Sequence, residues 1–294
     1  MTEDKKPERI HLPSHGDLDV EFDRATNSVW AFMNHKGRPS FTLGMMKNVR
    51  EHDATLETTN CKVAIDGVCH DVNYYVGASR LPGVYNLGGD LSLFLLLIKS
   101  RDHEALSHYA RLCIDCLWAR INNFGSRHIT TISLVQGDAL GGGFESVLAS
   151  DVIIAEEQSR LGFPEVMFNL FPGMGAQSLL TRRIGAQRAE ELIFSGRLIG
   201  AKELHEMGIV DVVAKEGQGE RAVDDFILRN QRRLNTLRSI HHCRQIVNPV
   251  TREELDAIAD VWVEAALRLN DRDLKLMGRV VRSQMKLIEN TPAS

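Results

Sequence analysis

The stretch that most constrains the fold runs from Ser133 to Glu145, where an apolar strand leads into three consecutive glycines and then into a helix. Glycine has no Cβ, so residues 141–143 allow a sharp turn and a close approach of the backbone to a ligand. The first N–H groups of the helix lack intrahelical acceptors and can bind a polarised oxygen. The same pattern is also typical of a tight strand-to-helix turn in which Glu145 only complements the helix dipole.

Segments with strand character alternate with helical segments on both sides of this turn. The predicted strands are 18–22, 29–33, 72–78, 129–136, 151–155 and 210–213, and the predicted helices are 42–57, 91–98, 103–122, 143–150, 188–195 and 201–207. Strands and helices that alternate at this spacing predict βαβ crossovers and a mainly parallel sheet, so the fold class is α/β. Residues 56–71 show no clear period and are predicted to form an irregular surface insertion.

The chain is predicted to have three parts. Residues 1–16 are polar and contain proline, which indicates a flexible N-terminal segment or an oligomer arm. Residues 17–213 form the core that carries the site, and residues 214–294 form a C-terminal helical region. In that region Thr251 and Glu254 make a capping box before a helix with an apolar stripe. Such stripes are more often core or subunit interface than cofactor contacts.

Composition excludes several classes of protein. The 294 residues are 43% apolar and 25% charged, which is ordinary for a soluble globular protein. A net charge of −4 argues against a nucleic-acid partner. No apolar run reaches the roughly 20 residues of a membrane span, and the N-terminus does not resemble a secretory signal. We therefore expect a cytoplasmic protein that does not associate with membranes.

Cys113 and Cys116 form a Cys-x-x-Cys pair, a spacing found in redox and zinc sites. They lie on a helical stripe with Tyr109 and Leu117, and no second pair or compact Cys/His cluster completes a metal site. We interpret both as buried small apolar side chains and predict no metal.

Two further stretches accompany the glycine turn. One is Gly83-Val-Tyr-Asn-Leu-Gly-Gly-Asp90, and the other is Arg160-Leu-Gly-Phe-Pro-Glu-Val-Met-Phe-Asn-Leu-Phe-Pro-Gly-Met-Gly-Ala-Gln177. With the glycine turn they resemble the crotonase (enoyl-CoA hydratase/isomerase) superfamily, from about residue 30 to residue 213. Segments 85–91, 136–145 and 170–176 are most similar to the diffusible-signal-factor synthases, bacterial enzymes that make cis-2-unsaturated fatty-acid signals.

The resemblance implies a crotonase-like fold of repeated ββα units with a C-terminal helical trimerisation region, and hence a homotrimer or hexamer. It also implies an oxyanion hole and an acid/base pair. The implied oxyanion donors are the N–H groups of Leu87 and Gly142, and the implied catalytic residues are Glu145 and Glu165. The predicted substrate contacts are Gly88, Gly89, Gly141, Gly173, Met174 and Trp262, of which Met174 and Trp262 are proposed from their apolar side chains. For Trp262 a core position is the more ordinary interpretation. Asp90 is predicted to cap a helix and not to act in catalysis.

The residue types fit the chemistry of a thioester. Loss of its Cα proton requires stabilisation of the enolate oxygen, which two preorganised N–H groups can supply. Two carboxylates allow one to remove a proton while the other delivers one. Glu165 follows Pro164 and has apolar neighbours, so desolvation is expected to raise its pKa.

The branch resemblance implies dehydration of a medium-chain 3-hydroxyacyl thioester, carried by acyl-carrier protein or CoA, and then cleavage to a free cis-2-enoic acid. No metal or redox cofactor is required. A plain enoyl-CoA hydratase or isomerase shares every catalytic element and is the alternative. A third class, a scaffold that binds a signalling-protein partner, is disfavoured because both glutamates are retained.

Overall fold

Strands make up the centre of the computed structural model, which describes residues 9–289 and the side chains of residues 9–285. In chain order they are β1 (Arg9–His11), β2 (Leu18–Asp23), β3 (Ser28–Met33), β4 (Lys62–Ile65), β5 (Val68–Asp71), β6 (Tyr74–Ser79), β7 (Gly83–Asn86), β8 (Thr130–Val135), β9 (Gly137–Leu140), β10 (Val152–Glu156), β11 (Arg160–Gly162), β12 (Leu198–Gly200) and β13 (Val212–Ala214).

Helices cover the sheets and form the C-terminal part of the described chain. They are α1 (Leu43–Thr58), α2 (Leu91–Lys99), α3 (His103–Ile121), α4 (Gly142–Leu148), α5 (Ala176–Ile184), α6 (Ala186–Ser195), α7 (Ala201–Glu206), α8 (Gly219–Asn230), α9 (Leu234–Val247), α10 (Arg252–Leu267) and α11 (Asp271–Glu289). Short 3-10 helices occur at Asn123–Gly125, Pro164–Phe168 and Gln231–Arg233.

Within the described residues, the larger sheet has the strand order β1-β2-β3-β6-β8-β10-β13. Strands β1 to β3 are antiparallel, and every later neighbour pair in this sheet is parallel. The second sheet has the order β12-β11-β9-β7, in which β7, β9 and β11 are parallel. Because the carboxyl ends of parallel strands meet at one edge, the loops that follow these three strands lie side by side.

The central strands of the larger sheet, β3, β6, β8 and β10, are buried on both faces, as is usual for parallel strands. In β3, Val29, Ala31 and Met33 belong to the larger hydrophobic cluster, whereas Trp30 and Phe32 belong to a smaller one that includes residues of α8. Alternate residues of a strand point to opposite faces, so β3 contributes to both clusters.

The structure confirms the α/β, crotonase-like architecture and most of the predicted elements. Asp90 caps α2, its side chain accepting from the N–H groups of Ser92 and Leu93, and Thr251 caps α10 by accepting from Glu254. Residues 188–195 lie in α6, which ends at Gly196 in the left-handed conformation. Between residues 9 and 289, none of the helices has the length and apolar character needed to cross a membrane.

The prediction of a flexible segment is wrong for residues 9–11, whereas the alternative of an oligomer arm stays a prediction. Residues Arg9–His11 pair with β2 in the large sheet, while residues 1–8 lie outside the described part of the chain. The Arg9 guanidinium lies 3.5 Å from the centroid of the Trp30 ring and 2.8 Å from Glu220. These contacts hold the strand in place.

The prediction of an irregular insertion at 56–71 is also wrong, since β4 and β5 form an antiparallel hairpin there. Asp66 and Gly67 connect the strands with φ angles of 52° and 76°. An Asp-Gly pair with positive φ at both positions is a hairpin signal, and it was present in the sequence.

The sequence of helix α2 is apolar on almost every side, yet the helix is not buried all round. It packs against α3 and α11, and Leu96 on another face is 64% exposed.

Candidate active site

The three loops that follow β7, β9 and β11 carry the candidate functional groups. The first is residues 87–90, the second is the glycine turn into α4, and the third is the 3-10 helix Pro164–Phe168. Since the three strands are parallel neighbours, their ends bring the two glycine loops and Glu165 to one edge of the small sheet.

Only one N–H group in the first loop is free to meet a ligand. The Leu87 N–H donates to the Pro39 carbonyl at 2.7 Å, and the Gly88 N–H donates to Asn86 Oδ1 at 2.8 Å. The N–H of Gly89 has no acceptor within the described residues. The predicted donor Leu87 is therefore already paired, and the free donor lies two residues later.

Tyr109 of α3 fixes the end of the same loop. Its hydroxyl accepts from the Asp90 N–H at 3.1 Å and donates to the Phe41 carbonyl at 2.5 Å. The Arg38 guanidinium lies 3.2 Å from Asp90 Oδ1. These contacts come from distant parts of the chain and fix the end of the loop against α3 and residues 38–41.

The second free donor is the N–H of Gly142. Gly142 is the first residue of α4, so its N–H has no intrahelical acceptor. A Cβ placed on Gly142 would lie 3.5 Å from the Gly89 nitrogen, which puts the two N–H groups close together. Both residues line one cavity, whereas Leu87 does not. The geometry therefore pairs Gly89 with Gly142, and not Leu87 with Gly142.

Glu145 lies in the first turn of α4 and is 1% exposed. Its Oε1 atom accepts from the N–H groups of Met174 at 2.8 Å and Ala176 at 3.0 Å. Burial raises the pKa of Glu145 to about 7, although these two donors act in the opposite direction. The carboxyl thus changes protonation near neutral pH.

Glu165 faces the same space from the third loop. The residue as a whole is partly exposed, but its Oε2 atom is shielded from solvent and lacks a hydrogen-bond partner among residues 9–285. Burial, and then the charge of Glu145, raise the pKa of Glu165 to about 8. Two neighbouring carboxyls with raised pKa values are typical of an acid/base pair.

Gly141 makes room for the Glu165 carboxylate. Its φ angle is +52°, and a Cβ at this position would lie 2.0 Å from Glu165 Oε1. Gly88 is similarly constrained, because a Cβ there would lie 2.7 Å from the Leu140 carbonyl oxygen. Gly141 and Gly88, both predicted substrate contacts, therefore allow the three loops to pack closely because neither has a side chain.

Apart from the carboxylates, the cavity is mostly apolar. It has an empty volume of about 630 Å³ including its mouth. The lining residues are Phe41, Met46, Gly89, Leu91, Phe94, Tyr109, Cys113, Cys116, Leu117, Arg120, Gly142, Glu145, Ser146, Glu165, Phe168, Leu170, Pro172, Gly173, Met174 and Trp262.

Three predicted acyl contacts, Gly173, Met174 and Trp262, lie in this lining. A Cβ on Gly173 would lie 2.4 Å from Trp262, and the Trp262 ring packs edge-on against Phe94 with centroids 5.0 Å apart. Trp262 is 2% exposed. It is thus both a core residue and a wall of the cavity.

Sequence reasoning missed several lining residues on α3, namely Cys113, Cys116 and Arg120. The two cysteines were predicted as core, and Cys116 is indeed buried, yet both face the cavity. Burial raises the pKa of both thiols, which favours the neutral form over the nucleophilic thiolate. In the described part of the chain, no group of three His, Cys, Asp or Glu residues is arranged to hold a metal ion.

The comparisons with known proteins identify the family of the chain. Residues 78–256 match the enoyl-CoA hydratase/isomerase family model, which covers all three loops, and the chain belongs to that family. Human mitochondrial methylglutaconyl-CoA hydratase is 32% identical over 157 residues, which is 53% of this chain and 44% of that protein. The chain spans about half the length of such curated relatives.

Solved structures show the same fold over nearly the whole chain. Enoyl-CoA hydratase from Bacillus halodurans has a TM-score of 0.73 at 16% identity, covering 90% of this chain and 100% of the other. DspI from Pseudomonas aeruginosa has a TM-score of 0.65 at 20% identity, covering 96% and 98%.

Gly141→Ala tests the close approach of the glycine turn to Glu165. The added methyl group must displace the carboxylate, and the alanine must keep a positive φ that is strained for any residue with a Cβ. The free energy of unfolding should therefore fall by about 1–3 kcal/mol. Chemical denaturation measures this. Gly200→Ala is the matched control, because a Cβ at Gly200 meets nothing within 4 Å. Equal stability of the two variants, with Glu165 unmoved in a crystal structure of Gly141→Ala, would contradict the account.

The raised pKa of Glu165 predicts a specific dependence of stability on pH. Between the ordinary value of 4.5 and the folded value of about 8, the native state binds more protons than the unfolded state. Stability is therefore lost as pH rises through this window. Glu165→Gln removes the effect. The free energy of unfolding of this variant should therefore exceed that of the wild type by a difference that grows with pH to the order of a few kcal/mol. Urea denaturation from about pH 5 to about pH 8, with exposed Glu206→Gln as control, decides this. Parallel curves for wild type and Glu165→Gln would show that Glu165 is not desolvated.

Proposed function

We propose that this chain adds water to, and removes it from, the Cα–Cβ bond of an acyl thioester. One observation carries the proposal: two buried carboxylates with raised pKa values share an apolar cavity with two free N–H groups. The family match and the relatives that are named as hydratases support the same reaction class.

The N–H groups of Gly89 and Gly142 would bind the thioester carbonyl oxygen. Negative charge develops on that oxygen when the thioester becomes an enolate. Preorganised donors in a site that excludes water stabilise such charge by several kcal/mol. Because Gly89 and Gly142 have no side chains, the thioester can approach the backbone closely at this point.

Glu145 and Glu165 would divide the proton transfers. Two N–H donors favour the ionised form of Glu145, whereas Glu165 Oε2 lacks a partner among the described side chains and backbone groups. This difference favours the ionised form of Glu145 and the protonated form of Glu165. In hydration, Glu145 takes a proton from the attacking water and Glu165 delivers its proton to Cα. Dehydration follows the same path in reverse.

The finer proposal concerns the substrate and a second step. We infer a medium-chain 3-hydroxyacyl thioester of acyl-carrier protein or CoA, which is dehydrated and then hydrolysed to a free cis-2-enoic acid. The motif resemblance to the diffusible-signal-factor synthases supports this, as does the oxyanion site, which can also hold the tetrahedral oxyanion of thioester hydrolysis. A trimeric or hexameric assembly, a cytoplasmic location and a signalling-protein partner remain predictions.

A plain enoyl-CoA hydratase or isomerase is the second candidate, favoured by the family match and the named relatives. The two candidate functions differ in the product that they release. A hydratase leaves a reversible mixture of trans-enoyl and 3-hydroxyacyl thioesters, whereas the proposed enzyme releases a free acid. Mass spectrometry of the reaction mixture distinguishes these outcomes.

Glu145→Gln and Glu165→Gln should each lower dehydration of a 3-hydroxyacyl thioester by about 10²–10⁴-fold, because an amide cannot transfer the proton. The rate is followed by chromatography of the thioesters. Glu206→Gln serves as control, and circular dichroism verifies the fold. Wild-type turnover by either soluble variant would refute the paired assignment.

Hydrolysis should survive Cys113→Ser and Cys116→Ser, although both thiols line the cavity. Their raised pKa values leave them protonated, so water rather than sulfur attacks the thioester. Release of free acid, measured by mass spectrometry, should stay within a few-fold of wild type and be lost in at least one glutamate variant. A covalent acyl group found on either cysteine would overturn this mechanism.

A further inference from the structure

Residue 41 runs beside the loop 87–90 and orients the peptide group that carries the free Gly89 N–H. Phe41 pairs with Gly89 as a parallel bridge, and the Phe41 N–H donates to the Gly88 carbonyl at 2.8 Å. The Gly88 carbonyl and the Gly89 N–H belong to one planar trans peptide unit, so they point in opposite directions. A fixed Gly88 carbonyl therefore fixes the direction of the Gly89 N–H.

The Tyr109 hydroxyl continues this pattern on the other side of Gly89. It donates to the Phe41 carbonyl at 2.5 Å and accepts from the Asp90 N–H at 3.1 Å. Together with the bond from Phe41 to Gly88, these contacts form a closed ring of hydrogen bonds around Gly89. A Cβ on Gly89 would lie only 3.5 Å from the Tyr109 oxygen, which shows how closely the hydroxyl approaches the loop.

Tyr109 itself is fixed by packing. It is buried, and its ring meets the Phe94 ring edge-on with centroids 4.8 Å apart. Burial raises the pKa of the Tyr109 hydroxyl well above its ordinary value, so the group stays protonated and can donate. A hydroxyl can donate to one backbone group while it accepts from another, which phenylalanine, of nearly the same shape, cannot do.

We propose that Tyr109 is a positioning residue whose hydroxyl holds Gly89 so that its N–H points, with that of Gly142, at the thioester oxygen. Donors stabilise a developing oxyanion best when they are aimed at it before the reaction. A misplacement of about 1 Å can lower a rate by about 10²-fold. This inference rests on the proposed thioester chemistry and adds a residue of α3 to the oxyanion site.

Tyr109→Phe removes the hydroxyl and keeps the ring. In dehydration of a 3-hydroxyacyl-CoA, kcat should fall by about 10–100-fold while KM stays within a few-fold, because alignment matters most for charge that develops in the transition state. Tyr74→Phe is the matched control, since Tyr74 is equally buried, lies outside the cavity lining, and has a hydroxyl without a hydrogen-bond partner among residues 9–285. Unchanged kcat in Tyr109→Phe, with or without a higher KM, would overturn the inference and leave the proposed function intact.

Infrared difference spectroscopy reads the donors without turnover. The probe is a saturated medium-chain acyl-CoA that carries carbon-13 at the thioester carbonyl. Hydrogen bonds from Gly89 and Gly142 should lower the carbonyl stretching frequency in the wild type and in Tyr74→Phe, and Tyr109→Phe should return it toward the value of the free thioester. This pattern in a protein without dehydratase activity would support the inference and overturn the proposed reaction. Equal frequencies in the wild type and Tyr109→Phe would overturn the inference.

Amide hydrogen exchange of the wild-type protein, followed by NMR, supplies a test that needs no variant. The N–H groups of Phe41 and Asp90 should be protected by the ring of hydrogen bonds. The Gly89 N–H should exchange faster than either, because it has no acceptor within the described residues. Rapid exchange of the Phe41 and Asp90 amides would overturn the inference even if Tyr109→Phe did not fold.

Discussion

Parallel pairing of β7, β9 and β11 is the constraint on which the site depends. Each strand has only three or four residues, and each delivers one loop to the same edge of the small sheet. The loops then approach so closely that side chains are excluded, and a Cβ on Gly141 or Gly88 would collide with a neighbouring loop. The glycines are therefore a consequence of the strand pairing, and the positions of the N–H groups and carboxylates follow from both.

The packing that builds the site also lowers the stability of the fold, because it buries two carboxyl groups. Glu145 and Glu165 lie in an apolar cavity, where Glu145 Oε1 accepts from two backbone N–H groups and Glu165 Oε2 has no hydrogen-bond partner among residues 9–285. Burial without full compensation raises both pKa values toward neutrality and reduces stability at higher pH. Acid/base chemistry near neutral pH requires this loss of stability, because a solvated glutamate stays ionised at neutral pH and cannot donate a proton.

Sequence patterns predicted the α/β order, the glycine turn and both glutamates, because motifs and periodicity are local properties of the chain. The oxyanion donor was misplaced because the Leu87 N–H pairs with Pro39, and a contact 48 residues away leaves no mark in the motif. Arg120 was missed for a related reason: arginine on a helix is ordinarily exposed, and only the packing of α3 against the cavity buries it. The hairpin at 62–71 was missed although its Asp66-Gly67 turn signal was present.

The central claim is that Glu145 and Glu165 form one desolvated, interacting pair. Carbon-13 NMR titration of the two side-chain carboxyls in the unliganded protein tests it most directly. The account predicts that both resonances titrate far above the ordinary glutamate value of 4.5, with apparent pKa values near 7 and 8 that belong to the pair. Two independent titrations near 4.5 would show that the carboxyls are solvated and separate, and would contradict the account.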